Sequence, residues 1–83
     1  MRLKYPYEIM EVEGQSFAVP MEGPGGMIRL SRTARSIFER LREETDEAAV
    51  VDEMCRRYDA DRSVLEADVR DFVARFRDKG LLA

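Results

Sequence analysis

Histidine is absent from this 83-residue chain, and cysteine occurs once, at Cys55. Without imidazole and with a single thiol, the sequence offers no ligand set for zinc. It also has no side chain of ordinary pKa near neutrality for acid–base catalysis. A lone cysteine forms no internal disulfide. No stretch approaches the roughly 20 consecutive apolar residues of a membrane-spanning helix. The first ten residues, MRLKYPYEIM, lack the continuous apolar core of a secretory signal. The expected location is the cytoplasm, with no membrane partner. A basic stripe is missing too. Fourteen Lys and Arg face seventeen Asp and Glu, for a net charge of −3. The imbalance is spread evenly: residues 1–30, 31–58 and 59–83 each carry one excess acid. No segment is a phosphate-binding face, so nucleic acid is not an expected partner.

What remains is a short, well-patterned chain. Its 45% hydrophobic fraction is too high for a disordered tail. Its length fits one domain, residues 1–83, with few residues to spare for a deep pocket. All three prolines and four of the five glycines lie within residues 1–30, together with the β-type runs YEIMEV, SFAV and GMIRL. Gly14 suits a hairpin turn between the first two runs. Residues 22–26, EGPGG, read as a second, looser turn. Pro20 has no N–H for a ladder bond, so strand two is expected to end near Val19. Alternation places Phe17 and Val19 on one face, and Ile28 and Leu30 together further on. Ile9 and Met10 are adjacent, which fits either a bulge or a two-sided strand. Tyr5 and Tyr7 fit either half-buried strand positions or a surface contact.

From Ser31 the period turns helical. Ser31 can cap a helix over RTARSIFERLREE. At about 100° per residue, its apolar face is Ala34, Ile37, Phe38 and Leu41. Thr45 or Asp46 can cap a second helix carrying Val50, Val51, Met54, Cys55 and Tyr58. Ser63 and Glu66 have capping-box spacing for a third. Its stripe is Leu65, Val69, Phe72, Val73 and Phe76, and Gly80 ends it. Leu81 and Leu82 can then fold back onto the core. The expected fold is α+β, with three antiparallel strands followed by three helices.

Catalytic constellations are scarce. Glu39 with Glu43, and Asp68 with Asp71, are carboxylate pairs on charged helical faces, and read as solvated surface. Cys55 lies on an apolar stripe with no assignable basic partner, and reads as a small core residue. The glycines at 23, 25 and 26 lack P-loop spacing and its lysine. No enzyme and no cofactor are expected. One physical feature does invite a function. In a three-stranded meander the third strand is an edge, whose unpaired N–H and C=O groups can accept an extended peptide. The alternative is an edge covered by the chain's own N-terminus.

The stretch GMIRLSRTARSIFERL resembles the signature of PqqD-like proteins, also called RiPP recognition elements. The matching features are a strand ending in Leu30, the cap Ser31, the small Ala34 and the pair Ile37–Phe38. DEAAVVDEMCRRYDAD is similar to that family's second helix and its "YDVD" ending. ADVRDFVARFRDKGLL is similar to its third helix, through Asp68, Val69, Phe72, Val73, Phe76, Gly80, Leu81 and Leu82. The resemblance covers nearly the whole chain. The EGPGG loop is longer and richer in glycine than the family's usual turn.

This resemblance implies a winged-helix-like domain that binds the N-terminal leader of a ribosomally made precursor peptide. The leader adds as a strand beside strand three and packs against helix three. The domain then presents the precursor to a maturation enzyme, often a radical SAM protein, and does no chemistry itself. Carried onto this chain, Met27, Ile28, Arg29 and Leu30 supply the pairing edge. On helix three, Asp68, Arg75 and Lys79 lie on one flank, and Glu66, Val73 and Arg77 on the other. The first flank is favoured, because its opposite charges can grip polar side chains of a leader. Val69, Phe72 and Phe76 can touch a leader hydrophobe besides packing the core. Two competing functions are a winged-helix DNA-binding regulator and a small structural subunit of an enzyme complex.

Overall fold

The computed structural model describes residues 1–22 and 26–83. Strands β1 (Tyr7–Val12), β2 (Gln15–Pro20) and β3 (Ile28–Leu30) precede helices α1 (Arg32–Arg40), α2 (Glu47–Arg57) and α3 (Arg62–Asp78). The sheet is antiparallel in the order β1-β2-β3, as the pattern implied. The looser turn read at 22–26 falls largely on residues 23–25, outside the described residues.

The first hairpin has a two-residue turn. Val12 pairs with Gln15. Glu13 and Gly14 between them have φ of 53° and 78°. Positive φ at both central residues is the type I′ geometry that matches strand twist. Gly14 meets this at no steric cost, whereas Glu13 carries a Cβ in the left-handed region. Asn tolerates that region better. Glu13→Asn is therefore expected to stabilise the fold by about 0.5–1 kcal/mol, seen as a raised urea midpoint at unchanged slope.

This turn sets which backbone groups face which neighbour. Met21 N–H donates to the Pro6 carbonyl at 2.9 Å, flanking the Tyr7–Pro20 pair. Tyr7–Pro20 is thus a pair without mutual hydrogen bonds, and the alternation of an antiparallel ladder follows from it. Val19, Phe17 and Gln15 turn their N–H and C=O groups to β1. Ser16, Ala18 and Pro20 turn theirs towards β3. The parity explains why β2 reaches Pro20, one residue past the end expected from the sequence. The proline nitrogen faces the side where β3 ends at Ile28, opposite Ala18, so no ladder donor is lost.

Side chains alternate accordingly. Tyr7, Ile9, Ala18, Ile28 and Leu30 face the helices, with Tyr7, Ala18 and Leu30 buried and Ile9 and Ile28 packed at the core margin. Phe17 and Val19 do share a face, and it is the outward one, beside the exposed Met10 and Val12. The register through Ile9 and Met10 is continuous, so the strand is two-sided and unbulged.

Two of the three helix caps match the sequence. Ser31 Oγ accepts from Ala34 N–H at 3.1 Å, and Asp46 Oδ1, not Thr45, accepts from Ala49 N–H at 2.8 Å. α1 ends at Arg40, four residues short of the expected stretch. The Ser63–Glu66 capping box does not form. α3 starts at Arg62, so Ser63 already lies in its first turn, and Glu66 accepts from Arg62 Nε at 3.1 Å instead. Gly80 ends α3 with φ of 72°, and Leu81 folds back into the core while Leu82 packs at its edge.

The core joins all three layers through aromatic rings. Phe38 of α1 meets Tyr7 of β1 edge-on at 5.2 Å and Phe76 of α3 at 6.0 Å. Phe72 stacks on Phe76 at 4.2 Å. Burial of Tyr7, and then the nearby Tyr5, raises its phenol above the usual range. Tyr5 packs at the core margin. Cys55 is half-buried against the core, and Arg62 Nη1 lies 4.0 Å from its sulfur, tying α2 to α3. Arg62 also pairs with Asp52 at 2.8 Å.

Candidate functional site

Among the described residues, β3 pairs with β2 alone. The N-terminal segment does not cover its outer edge. That segment lies elsewhere, with Leu3 N–H donating to the Leu41 carbonyl at 2.7 Å and Lys4 N–H to the Leu81 carbonyl at 2.8 Å. Leu3 also forms a bridge with Leu82. Among the described residues, the free edge of β3 has no backbone partner.

The ladder parity says which groups this edge presents. Ala18–Ile28 and Ser16–Leu30 are the pairs that exchange both hydrogen bonds, and Phe17–Arg29 is the pair between them. Ile28 and Leu30 therefore spend their backbone groups on β2. Arg29 turns its N–H and C=O outward. Its side chain lies on the outward face with Phe17, while those of Ile28 and Leu30 lie on the helix face. Met27 precedes the strand and is exposed.

The sequence-derived residues of α3 divide cleanly by environment. Val69, Phe72 and Phe76 are core, each no more than 4% exposed. Asp68, Arg75 and Lys79 are exposed, and their side chains make no hydrogen bond or ion pair among the described residues. The opposite flank is occupied. Val73 is buried, Glu66 and Arg70 border a cavity with Ala48 and Val51 of α2, and Arg77 reaches the Met1 sulfur at 4.0 Å. α3 packs on α2 and α1, and β3 on β2 and α1. Among the described residues, the flank carrying Asp68, Arg75 and Lys79 is thus the one left open.

Two features escaped the sequence. Val64 is 52% exposed and lies four residues before Asp68, on the same open flank. It adds an apolar contact where only charges were expected. The second is a surface cavity of about 590 Å³ where the β1–β2 turn, the end of β3 and the start of α1 meet. Arg29, Arg32, Arg35, Glu11 and Ser16 are among its lining. Arg35 ion-pairs with Glu11, bonds Ser16 Oγ at 3.2 Å and reaches Glu39 at 3.4 Å. These hydrogen bonds, Glu11 first and Glu39 second, raise its pKa above the usual arginine value. The lining comes from four elements, which is why no linear motif marks it.

Among the described residues, no three Cys, Asp or Glu side chains gather to hold a metal ion, and no helix is long and apolar enough to cross a membrane. The carboxylates at 39 and 43 pair with Arg35 and Arg40.

Comparison with known proteins agrees with this architecture. A structure of TbiB1 in complex with the TbiA(beta) leader peptide superposes with a TM-score of 0.75 at 24% identity, covering 99% of this chain and 94% of that one. No curated protein matches the chain. The family model for coenzyme PQQ synthesis protein D (PqqD) matches residues 9–82, which takes in β1 from Ile9, the open β3 edge and all three helices, so the chain belongs to the PqqD family.

Proposed function

We propose that this protein captures the leader of a ribosomally made precursor peptide as an added strand on β3, and presents it to a modifying enzyme. It contributes no catalytic group of its own. The observation that carries this reading is a β3 edge with no backbone partner among the described residues, in a fold that also exposes one flank of α3. The similar fold of TbiB1 holds a leader peptide, and the family match extends the parallel. Backbone bonds at Arg29 supply pairing, and side chains on the helix face supply selectivity. In this reading Met27, Ile28, Arg29 and Leu30 form one wall of the groove, and Asp68, Arg75 and Lys79 the other. Val69, Phe72 and Phe76 back that second wall from the core. The modifying enzyme is a radical SAM protein, and the exchange takes place in the cytoplasm. Both rest on the family.

The test is an amide-shift titration of isotope-labelled protein. The probe is the synthetic leader of a short open reading frame encoded beside a peptide-modifying enzyme. Saturable shifts at Met27–Leu30 and along 64–79 are expected. Saturable shifts confined to other residues would retain peptide binding and discard this groove.

A further inference from the structure

Within the leader-capture reading, we propose that Arg29, in a stretch that also carries Arg32, forms a subsite for an acidic side chain of the bound peptide. The register places it. Arg29 is the β3 residue whose backbone faces the open edge, so an antiparallel strand added there sets one residue directly opposite it. Cross-strand partners share a face, with Cβ atoms about 4.5–5.5 Å apart. That peptide side chain therefore stands beside the Arg29 guanidinium on the outward face. Its two neighbours in the strand point the other way, to the helix side with Ile28 and Leu30.

Charge selects the occupant. Arg29, Arg32 and Arg35, with Glu11 as the one acidic residue, are among those lining the cavity at this end of β3. Arg35 and Glu11 already pair with each other. Among the described residues, Arg29 and Arg32 have no carboxylate partner, and the Arg32 guanidinium lies 5.7 Å from the centre of the Tyr58 ring. A chain of net charge −3 thus keeps two arginines with no carboxylate partner among the described residues in and next to its open strand. Guanidinium groups are suited to a carboxylate, which they can bind through two parallel hydrogen bonds. The recognised pattern is an acidic residue flanked on both sides by residues that face the helices, where the partly buried Ile28 and the exposed Val64 favour apolar side chains.

A random-peptide display library, selected against the purified protein and against R29E/R32E, tests this. The wild type is expected to enrich Asp or Glu at one fixed position between apolar residues. The variant is expected to lose that preference and gain Lys or Arg there. Replacing the enriched acid by its amide should weaken binding to the wild type by about two- to fivefold. The loss should shrink at high salt. Circular dichroism confirms that the variant folds. If the wild type enriches peptides without an acidic position, or both proteins enrich the same acidic peptides, the subsite is wrong and leader capture stands. If the folded wild type enriches nothing, leader capture falls and the subsite with it.

Discussion

Arg29→Pro is expected to lower leader affinity by about fivefold to a hundredfold while leaving the domain folded. The asymmetry follows from the ladder parity. Arg29 lies in the pair that exchanges no bonds with β2, opposite Phe17. Proline there removes an N–H that the β2–β3 ladder does not use, and edge positions tolerate it. Ile28 is already extended, as a residue preceding proline must be. An added strand would lose its donor at this point and leave a peptide carbonyl unmatched. An unsatisfied carbonyl costs about 1–3 kcal/mol, and each 1.4 kcal/mol is about tenfold in affinity. Arg29→Ala separates backbone from side chain, since it keeps the N–H and should lose only the smaller contribution of the guanidinium. Isothermal titration calorimetry supplies the affinities, and a urea titration confirms that Pro and Ala variants are similarly stable. A folded Arg29→Pro protein that bound leader as tightly as the wild type would remove strand addition on β3 from consideration.

The same parity shows where sequence reading stops. Element order was legible because period two gives way to period 3.6 at Ser31, and because Ser31, Gly14 and Gly80 each meet a local backbone requirement. Alternation alone, however, says which residues share a face and not which face the helices cover. In β2 the large residues Phe17 and Val19 lie outward and the smallest, Ala18, lies in the core, whose rings come from other elements. Sequence spacing likewise leaves the two flanks of α3 equivalent. What distinguishes them is that α2 and the N-terminal segment cover one, a tertiary fact. The outward turn of the Arg29 backbone depends on counting pairs from a turn whose length the residue types suggest without specifying. The arginine-lined cavity joins side chains from four elements, so periodicity within any one of them leaves it unmarked. Val64 was hidden for another reason: it lies off the apolar stripe of α3, and a single off-stripe valine carries no signal of a binding surface in the sequence.

Phe38→Ala is expected to destabilise the protein by about 3–5 kcal/mol, the largest effect of any substitution considered. Phe38 is fully buried, and its ring meets Tyr7 on β1 and Phe76 on α3. It is therefore the contact through which sheet, first helix and last helix share one core. Removing it opens a cavity between rings that cannot all move inward, because Tyr7 is fixed by its strand and Phe76 by its stacking on Phe72. Stability of about 0.05–0.15 kcal/mol per residue implies about 4–12 kcal/mol for a chain of this length, so the loss removes a large fraction of it. With a urea slope of about 1 kcal/mol per molar, the midpoint should fall by about 3 M or more. Phe38→Leu keeps most of the volume and should cost about 1.5 kcal/mol or less. If Phe38→Ala shifts the midpoint no more than Phe38→Leu, the ring contacts do not join the layers as described. The two variants also separate two routes to lost binding. Phe38→Ala should lose leader only in proportion to the fraction unfolded, and so regain it at low temperature or in a stabilising osmolyte. Arg29→Pro should stay deficient under both conditions, because its defect lies in one backbone donor and not in the population of the fold.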